Sequence, residues 1–319
     1  MAKKILNDVS AGGYKRPWQE KKLDNLTYAE YLTILRFKKA HNVKGCGEVL
    51  RFIKNKDGSL KLYQAWFCHS RLCPLCAWRY SLKNQYEISK ILDVAKDRNT
   101  EIEFLFLTLT LKNVELSELR ETIKLVHKAF NLLTKYKRVK AIVQGYIRST
   151  EITINQEHNQ AHPHLHVILV VPKGYAWRKQ LGRYIDIIEW QALWRKALKL
   201  DYDPIVNIKK IRPRKRKGKK TEQSELAAAK ETGKYQVKSS DYITGDKQRD
   251  LLYIDQLEHA LANTRQFGFG GILKEIRHKL KLDENEDDLV NVGEESRNDD
   301  EAKVAYKWDF EFGNYVQME

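Results

Sequence analysis

Apolar positions along this chain change period several times, and the changes outline an α+β protein. Residues 1–26 are polar with scattered aromatics and read as an arm. Over 28–41, Tyr31, Ile34, Leu35 and Phe37 recur at helical spacing. Residues 48–53 and 60–67 read as strands flanking Asn55-Lys56-Asp57-Gly58, a hairpin turn signal. Helix is expected over 78–94, a strand rich in Phe, Leu and Thr over 101–111, and an amphipathic helix over 116–136. Residues 139–154 read as one long or two broken strands, with Gly145 a candidate bulge, and 164–171 as another strand. A helix over 186–200, a short strand over 206–211 and a helix over 222–235 follow. This order predicts an α+β fold around an antiparallel sheet. Beyond residue 246 the pattern is mostly helical. Gly268-Phe269-Gly270-Gly271 reads as a break, 272–282 as an amphipathic helix, 283–301 as a solvated acidic linker, and 304–316 as a returning strand.

Three regions are expected: 1–98 with a metal-binding hairpin, 99–245 as the core domain, and 246–319 as a helical region with the acidic linker. Among 319 residues, 42% are hydrophobic and 31% charged, the balance of a soluble globular protein. No run approaches the roughly 18 apolar residues of a membrane helix, and the N-terminus lacks the apolar core of a secretory signal. A cytoplasmic protein without a membrane role is expected. The net charge is +16, yet 283–301 carries ten acids against one base, so the remainder stands near +25. A field of that sign attracts polyanions, nucleic acid foremost. Its densest part is Arg212, Arg214, Lys215, Arg216, Lys217, Lys219 and Lys220, expected to contact DNA phosphates.

The four cysteines are Cys46, Cys68, Cys73 and Cys76. Without a secretory signal, metal is a better reading than disulfides. The Cys73-x-x-Cys76 knuckle sets two sulfurs at the separation tetrahedral Zn²⁺ demands, and Cys68 adds a third. Cys46 precedes the first hairpin strand and Cys68 follows the second, so the hairpin brings them side by side. His69 is the rival fourth ligand. No ligand position is left open, which makes the site structural.

The stretch His162-Pro163-His164-Leu165-His166 carries the most chemistry. Alternate strand residues share a face, so His164 and His166 point together, about 6–7 Å apart, with Leu165 and Val167 turned to the core. His162 joins them if Pro163 leaves the chain straight. If 146–154 and 164–171 pair as a hairpin, Glu151 approaches the pair. Two imidazoles and a carboxylate suit Mn²⁺ or Mg²⁺ acting as a Lewis acid on a phosphate.

Downstream, Glu231 and Tyr235 would share a helix face at i, i+4. Tyrosine is a weak nucleophile unless lysines or a metal stabilise its phenolate, and Lys234 and Lys238 stand nearby in sequence. Tyr242 is the next tyrosine along.

Phe106-Leu107-Thr108-Leu109-Thr110, then His164-Leu165-His166, then Tyr235 with Lys238 resemble the three ordered motifs of HUH endonucleases. More closely, the run from Phe67 through Cys68, His69, Cys73 and Cys76, together with residues 231–238, resembles the plasmid rolling-circle replication initiators of Gram-positive bacteria, in the single-tyrosine group. The resemblance spans roughly residues 45–280. It implies an HUH nuclease core that recognises the double-strand origin of a plasmid and nicks one strand. Tyr235 would be the nucleophile and keep a 5′-phosphotyrosine link, while the freed 3′-OH primes a host polymerase. His164 and His166 would be the metal ligands. Glu231 would activate water in a terminating cleavage, and Lys238 would accompany the tyrosine. Duplex and single-stranded origin DNA, a host helicase and a host polymerase are the partners implied. The oligomeric state stays open, a homodimer or higher assembly included. Two other readings compete: a histidine-triad nucleotide hydrolase, which leaves the charge and cysteines unexplained, and a non-catalytic zinc-containing DNA-binding regulator, which leaves the histidine strand unexplained.

Overall fold

The computed structural model describes residues 4–10, 13–56, 58–175, 184–211, 225–284, 287–293 and 302–318. The basic run from Arg212 to Lys220 lies outside the described residues. In chain order the elements are α1 (Trp18–Ile34), α2 (Ala40–Lys44), β1 (Val49–Lys54), β2 (Leu60–Ala65), α3 (Pro74–Arg98), β3 (Ile102–Leu109), β4 (Val114–Glu115), α4 (Leu119–Leu133), α5 (Lys137–Lys140), β5 (Gly145–Asn155), β6 (Gln160–Pro172), α6 (Ile187–Leu198), β7 (Val206–Lys210), α7 (Glu225–Thr232), α8 (Lys247–Leu261), β8 (Phe267–Gly271), α9 (Ile272–Lys279), β9 (Ala302–Asp309) and β10 (Asn314–Gln317). Every strand pair is antiparallel, so the α+β expectation holds. Among the described residues no helix is long and apolar enough to cross a membrane.

The chain forms two compact units, the first comprising Met1–Lys83, Tyr242–Asp255 and Asp287–Glu319. Its sheet runs β10-β9-β1-β2. The expected hairpin forms, with the Asn55 and Gly58 amides closing its turn. One sheet face buries Leu50, Phe52, Leu62, Tyr306, Trp308 and Tyr315, and the Trp18 ring meets Phe52 edge-on at 6.0 Å. The start of the chain departs from the expected arm. Trp18 opens α1, fully buried, and its indole N–H donates to buried Asp8 at 2.7 Å. The helix expected over 28–41 ends instead at Ile34, because Arg36 takes a left-handed φ of 59° that no helix continues through.

The second unit comprises Asn84–Asp241 and Gln256–Glu286. Its sheet runs β7-β3-β6-β5-β8, with β4 pairing the start of β6. Period-2 alternation sorts the strands' side chains into two cores. Leu105, Leu107, Leu109, Leu165, Val167 and Leu169 pack with Val126 and Phe130 of α4 and Trp190 and Trp194 of α6. Phe104, Ile147, Ile168 and Val170 pack with Ile88, Ile91 and Leu92 of α3, Ala228 and Ala229 of α7, and Leu273 and Ile276 of α9.

Two glycine-bearing segments differ from expectation. Gly268-Phe269-Gly270-Gly271 is no break but β8, which pairs with β5. A Cβ on Gly271 would lie 2.0 Å from the Gln144 carbonyl oxygen, and its φ is 56°, so only glycine brings the strand this close. The helix expected over 222–235 ends at Thr232. The next residue, Gly233, sits so tightly against α3 that a Cβ would lie 2.9 Å from the Gln85 amide nitrogen. Residues 139–154 resolve into the short α5 and the single strand β5.

Candidate active site

Pro163 lies inside β6 without breaking it. Its β5 partner is Ile152, whose N–H points outward to the Gln236 carbonyl at 2.8 Å, so this pair exchanges no ladder bonds. On the opposite side the β3 register ends at Leu165 and the β4 register begins at Ala161. A missing donor costs nothing in that gap. The strand therefore stays straight, and His162, His164 and His166 share one face.

Register then assembles the cluster. Glu151 stands directly opposite His164 in the β5–β6 ladder. Its Oε2 lies 3.4 Å from His164 Nε2 and 2.9 Å from His166 Nε2. Ligand atoms from these three residues converge within 4.8 Å of one another. His162 stands behind, its ring 5.4 Å from that of His164 and outside the converging set. Neighbours orient both rings. His164 Nδ1 is 3.2 Å from the His162 carbonyl, which only accepts, so this nitrogen donates to it. His166 Nδ1 is 3.3 Å from the Thr108 hydroxyl, and Phe106 stacks on the His166 ring at 5.4 Å. Both Nε2 atoms are thereby turned to the Glu151 carboxylate.

The donor set of two imidazoles and one carboxylate fits a divalent ion with open positions. Burial works to raise the Glu151 pKa, but hydrogen bonds from His164 and His166 and their charge outweigh it and hold the carboxyl well below the usual range. Burial and the neighbouring His164 lower the His162 pKa.

The end of α7 closes the site. Glu231 Oε1 lies 3.7 Å from His166 Nε2, and its Oε2 accepts from Lys234 Nζ at 2.6 Å. Tyr235 does not share a helix face with Glu231, since α7 has already ended. Two backbone tethers place it instead: the Lys234 carbonyl accepts from Gln266 Nε2 at 2.8 Å, and the Gln236 carbonyl from the Ile152 amide. The backbone on either side of half-buried Tyr235 is thus tied down, on one side to Ile152 of β5. Lys234 is the lysine brought to the acids, while Lys238 is exposed. Tyr242 is buried, and its hydroxyl donates to the Leu72 carbonyl. Phe106 and Thr108 took no part in the ligand reading. Their period-2 spacing beside an apolar run was the available signal, and only pairing of β3 with β6 shows what they touch.

In the first unit the four cysteines close into one cluster. Cys46 Sγ is 3.5 Å from Cys76 Sγ and 3.6 Å from Cys73 Sγ, and Cys68 Sγ is 3.7 Å from Cys76 Sγ. A disulfide would need about 2.05 Å, whereas four sulfurs around zinc at about 2.3 Å stand about 3.8 Å apart. His69, at a φ of 54°, turns outward to the Tyr80 hydroxyl, so Cys46 is the fourth member. Burial pushes the Cys73 and Cys76 thiols up, and four thiolates here require a cation. Asn25 Nδ2 points at Cys73 Sγ at 3.3 Å. Buried Lys22 donates to the Cys46 carbonyl at 2.7 Å, to the Lys44 carbonyl at 2.8 Å and to Asn25 Oδ1 at 3.1 Å.

Known proteins resemble this chain over most of its length. The model of a family described as replication protein matches residues 59–316. A protein named Protein rep from Lactiplantibacillus plantarum is 49% identical over 98% of both chains. One from Lentilactobacillus hilgardii is 47% identical over 99% of both. One from Streptococcus pneumoniae is 38% identical over 98% of this chain and 95% of that one. No solved structure matches. With a family model over most of its length and relatives of nearly equal extent, the chain belongs to the replication-protein family, the Rep proteins of Gram-positive bacteria.

Proposed function

We propose that this chain initiates rolling-circle replication of a plasmid by nicking one strand of the double-strand origin. The Tyr235 phenolic oxygen bonds to the scissile phosphorus and loses its proton, and the 3′ oxygen leaves and takes one up. A 5′-phosphotyrosine and a free 3′-OH result, and the latter serves a host polymerase. In the terminating step Glu231 takes the proton of a water whose oxygen bonds to the scissile phosphorus, and the 3′ oxygen leaves and takes up a proton, so that strand ends in a 5′-phosphate and a free 3′-OH rather than a second protein link. The observation that carries this reading is the convergence of Glu231 on His166, with Tyr235 tethered to the strand that holds Glu151.

Glu151, His164 and His166 would hold Mn²⁺ or Mg²⁺, which supplies Lewis acidity to a phosphate. Lys234 holds the Glu231 carboxylate in place and adds positive charge where the phosphate would sit. Cys46, Cys68, Cys73 and Cys76 would hold a structural Zn²⁺. The basic run from Arg212 to Lys220 would contact phosphates, and a host helicase would open the duplex ahead. A soluble cytoplasmic protein acting on origin DNA fits this chemistry.

The test incubates the protein with a single-stranded origin oligonucleotide and Mn²⁺. An EDTA-sensitive covalent adduct on a denaturing gel is expected. Origin DNA that is bound but never linked to protein would overturn the nuclease reading.

A further inference from the structure

The β10-β9-β1-β2 sheet has a second face, opposite its buried one, and its side chains are of another kind. Arg51, Lys61, Lys303 and Lys307 all rise from it, as the pairings Ile53↔Lys61, Ile53↔Lys303, Arg51↔Ala305 and Val49↔Lys307 require. Between Arg51 and Phe52 the β1–β2 register shifts, which throws Tyr63 and Gln64 toward the same face. The cations and rings are interleaved. Arg51 donates to Gln64 at 2.7 Å, and its guanidinium lies 5.4 Å from the Trp66 ring centre. The Lys303 ammonium lies 5.6 Å from the Tyr63 ring centre. Trp66 remains 54% exposed, which the core does not explain. The acids alongside are engaged: Glu48 pairs with Lys307 at 3.4 Å, and Asp309 accepts the Glu311 and Phe312 amides of the β9–β10 turn.

Four cations spread over a sheet face attract a phosphate backbone, and aromatic rings held at fixed tilt among them offer stacking surfaces for unpaired bases. A duplex hides its base faces and would leave Trp66 and Tyr63 unused. We infer that this face binds single-stranded DNA without sequence preference, Arg51, Lys61, Lys303 and Lys307 meeting phosphates and Trp66 and Tyr63 stacking on bases. The inference rests on the reading above only in that a nicked, displaced strand gives such a surface something to hold. Neither the histidine cluster nor Tyr235 takes part.

The test measures binding of the full-length chain to a fluorescent oligothymidine and to a non-origin duplex across a salt series. K61Q/K303Q/K307Q is expected to bind the single strand more weakly, with a log–log salt slope shallower by about 2, at about 0.7 per lost contact. W66A is expected to lose about tenfold on the single strand, with an unchanged slope and unchanged duplex binding. Photo-crosslinking to iodouridine-containing DNA should label the peptides carrying Tyr63 and Trp66. Zinc content and melting temperature equal to the parent exclude misfolding. Unchanged affinity and slope in the triple variant, crosslinks confined to other segments, or equal losses on duplex would each overturn the inference. Adduct formation at Tyr235 is scored separately, so failure here leaves the nuclease reading intact, and failure there leaves this one.

Discussion

Glu231 divides its carboxylate between two partners: one oxygen lies 3.7 Å from His166 Nε2, and the other is held by Lys234 at 2.6 Å. A residue at the end of a short helix is thus bound into a cluster built on two strands. If Glu231 served only to close α7, its loss would slow every step alike. As the base for water, Glu231→Ala should leave the first cleavage near the parent rate and abolish the hydrolytic one, so that covalent protein–DNA product accumulates. Denaturing gels of a two-site substrate separate these outcomes. Slow nicking with normal termination would remove Glu231 from the second step.

Tyr235→Phe keeps the ring and deletes the oxygen. Adduct formation should fall to background, a loss of at least about a thousandfold, while origin affinity stays within about twofold of the parent. Folding stability should change by under about 1 kcal/mol. Buried Tyr242, its hydroxyl committed to the Leu72 carbonyl, should not substitute. An adduct formed equally by Y235F would reassign the nucleophile.

A metal held by the cysteine cluster would couple its binding to folding. Cys73→Ser or Cys76→Ser should lower zinc stoichiometry and melting temperature together, the latter by about 10 °C or more. A fully stable zinc-free double variant would contradict the metal reading.

Lys22 is buried near those sulfurs. Burial lowers its pKa, and the negative charge of Cys46 and Cys73 opposes that lowering. Its ammonium would offset part of the excess charge of a metal bound by four thiolates. Lys22→Met should speed zinc loss to a chelator by about tenfold relative to the parent, with the same Co²⁺–thiolate absorption spectrum. Unchanged chelator kinetics would make Lys22 a packing residue only.

His127 provides a pH test away from both clusters. The Thr150 hydroxyl accepts from Arg148 at 2.9 Å and lies 2.8 Å from His127 Nε2. Burial, with the Arg148 charge adding to it, pushes its pKa down to about 3. An unfolded chain binds a proton at this histidine below about pH 6.5, whereas the folded one does so only near 3. Its stabilising contribution is therefore complete above about 6.5 and is lost as pH falls from there toward 3. His127→Gln should flatten denaturation free energy against pH in that window by roughly 1 kcal/mol per unit. An unchanged slope would refute the neutral-ring assignment.

The local features were legible without coordinates, because each is set by a short-range period. Alternation along a strand put His164 and His166 on one face. The Asn55–Gly58 turn brought Cys46 beside Cys68, and pairing of adjacent strands brought Glu151 to the histidines. What depended on distant segments was not legible. Trp18 starts a helix because Asp8 and Phe52 surround it, and β1 takes a partner in β9 from the far end of the chain. A glycine run that reads as a break becomes a strand because β5 approaches too closely for any side chain. The i, i+4 logic for Glu231 and Tyr235 failed for the same reason. Packing of Gly233 on α3 ends the helix early, and hydrogen bonds from Gln266 and Ile152, not helical spacing, set the backbone around the tyrosine. Sequence alone thus determined which residue types meet within a hairpin, where the chain's own period controls direction. Tertiary structure decided which oxygen and which lysine reach that hairpin, because those contacts depend on how closely separate backbones can pack.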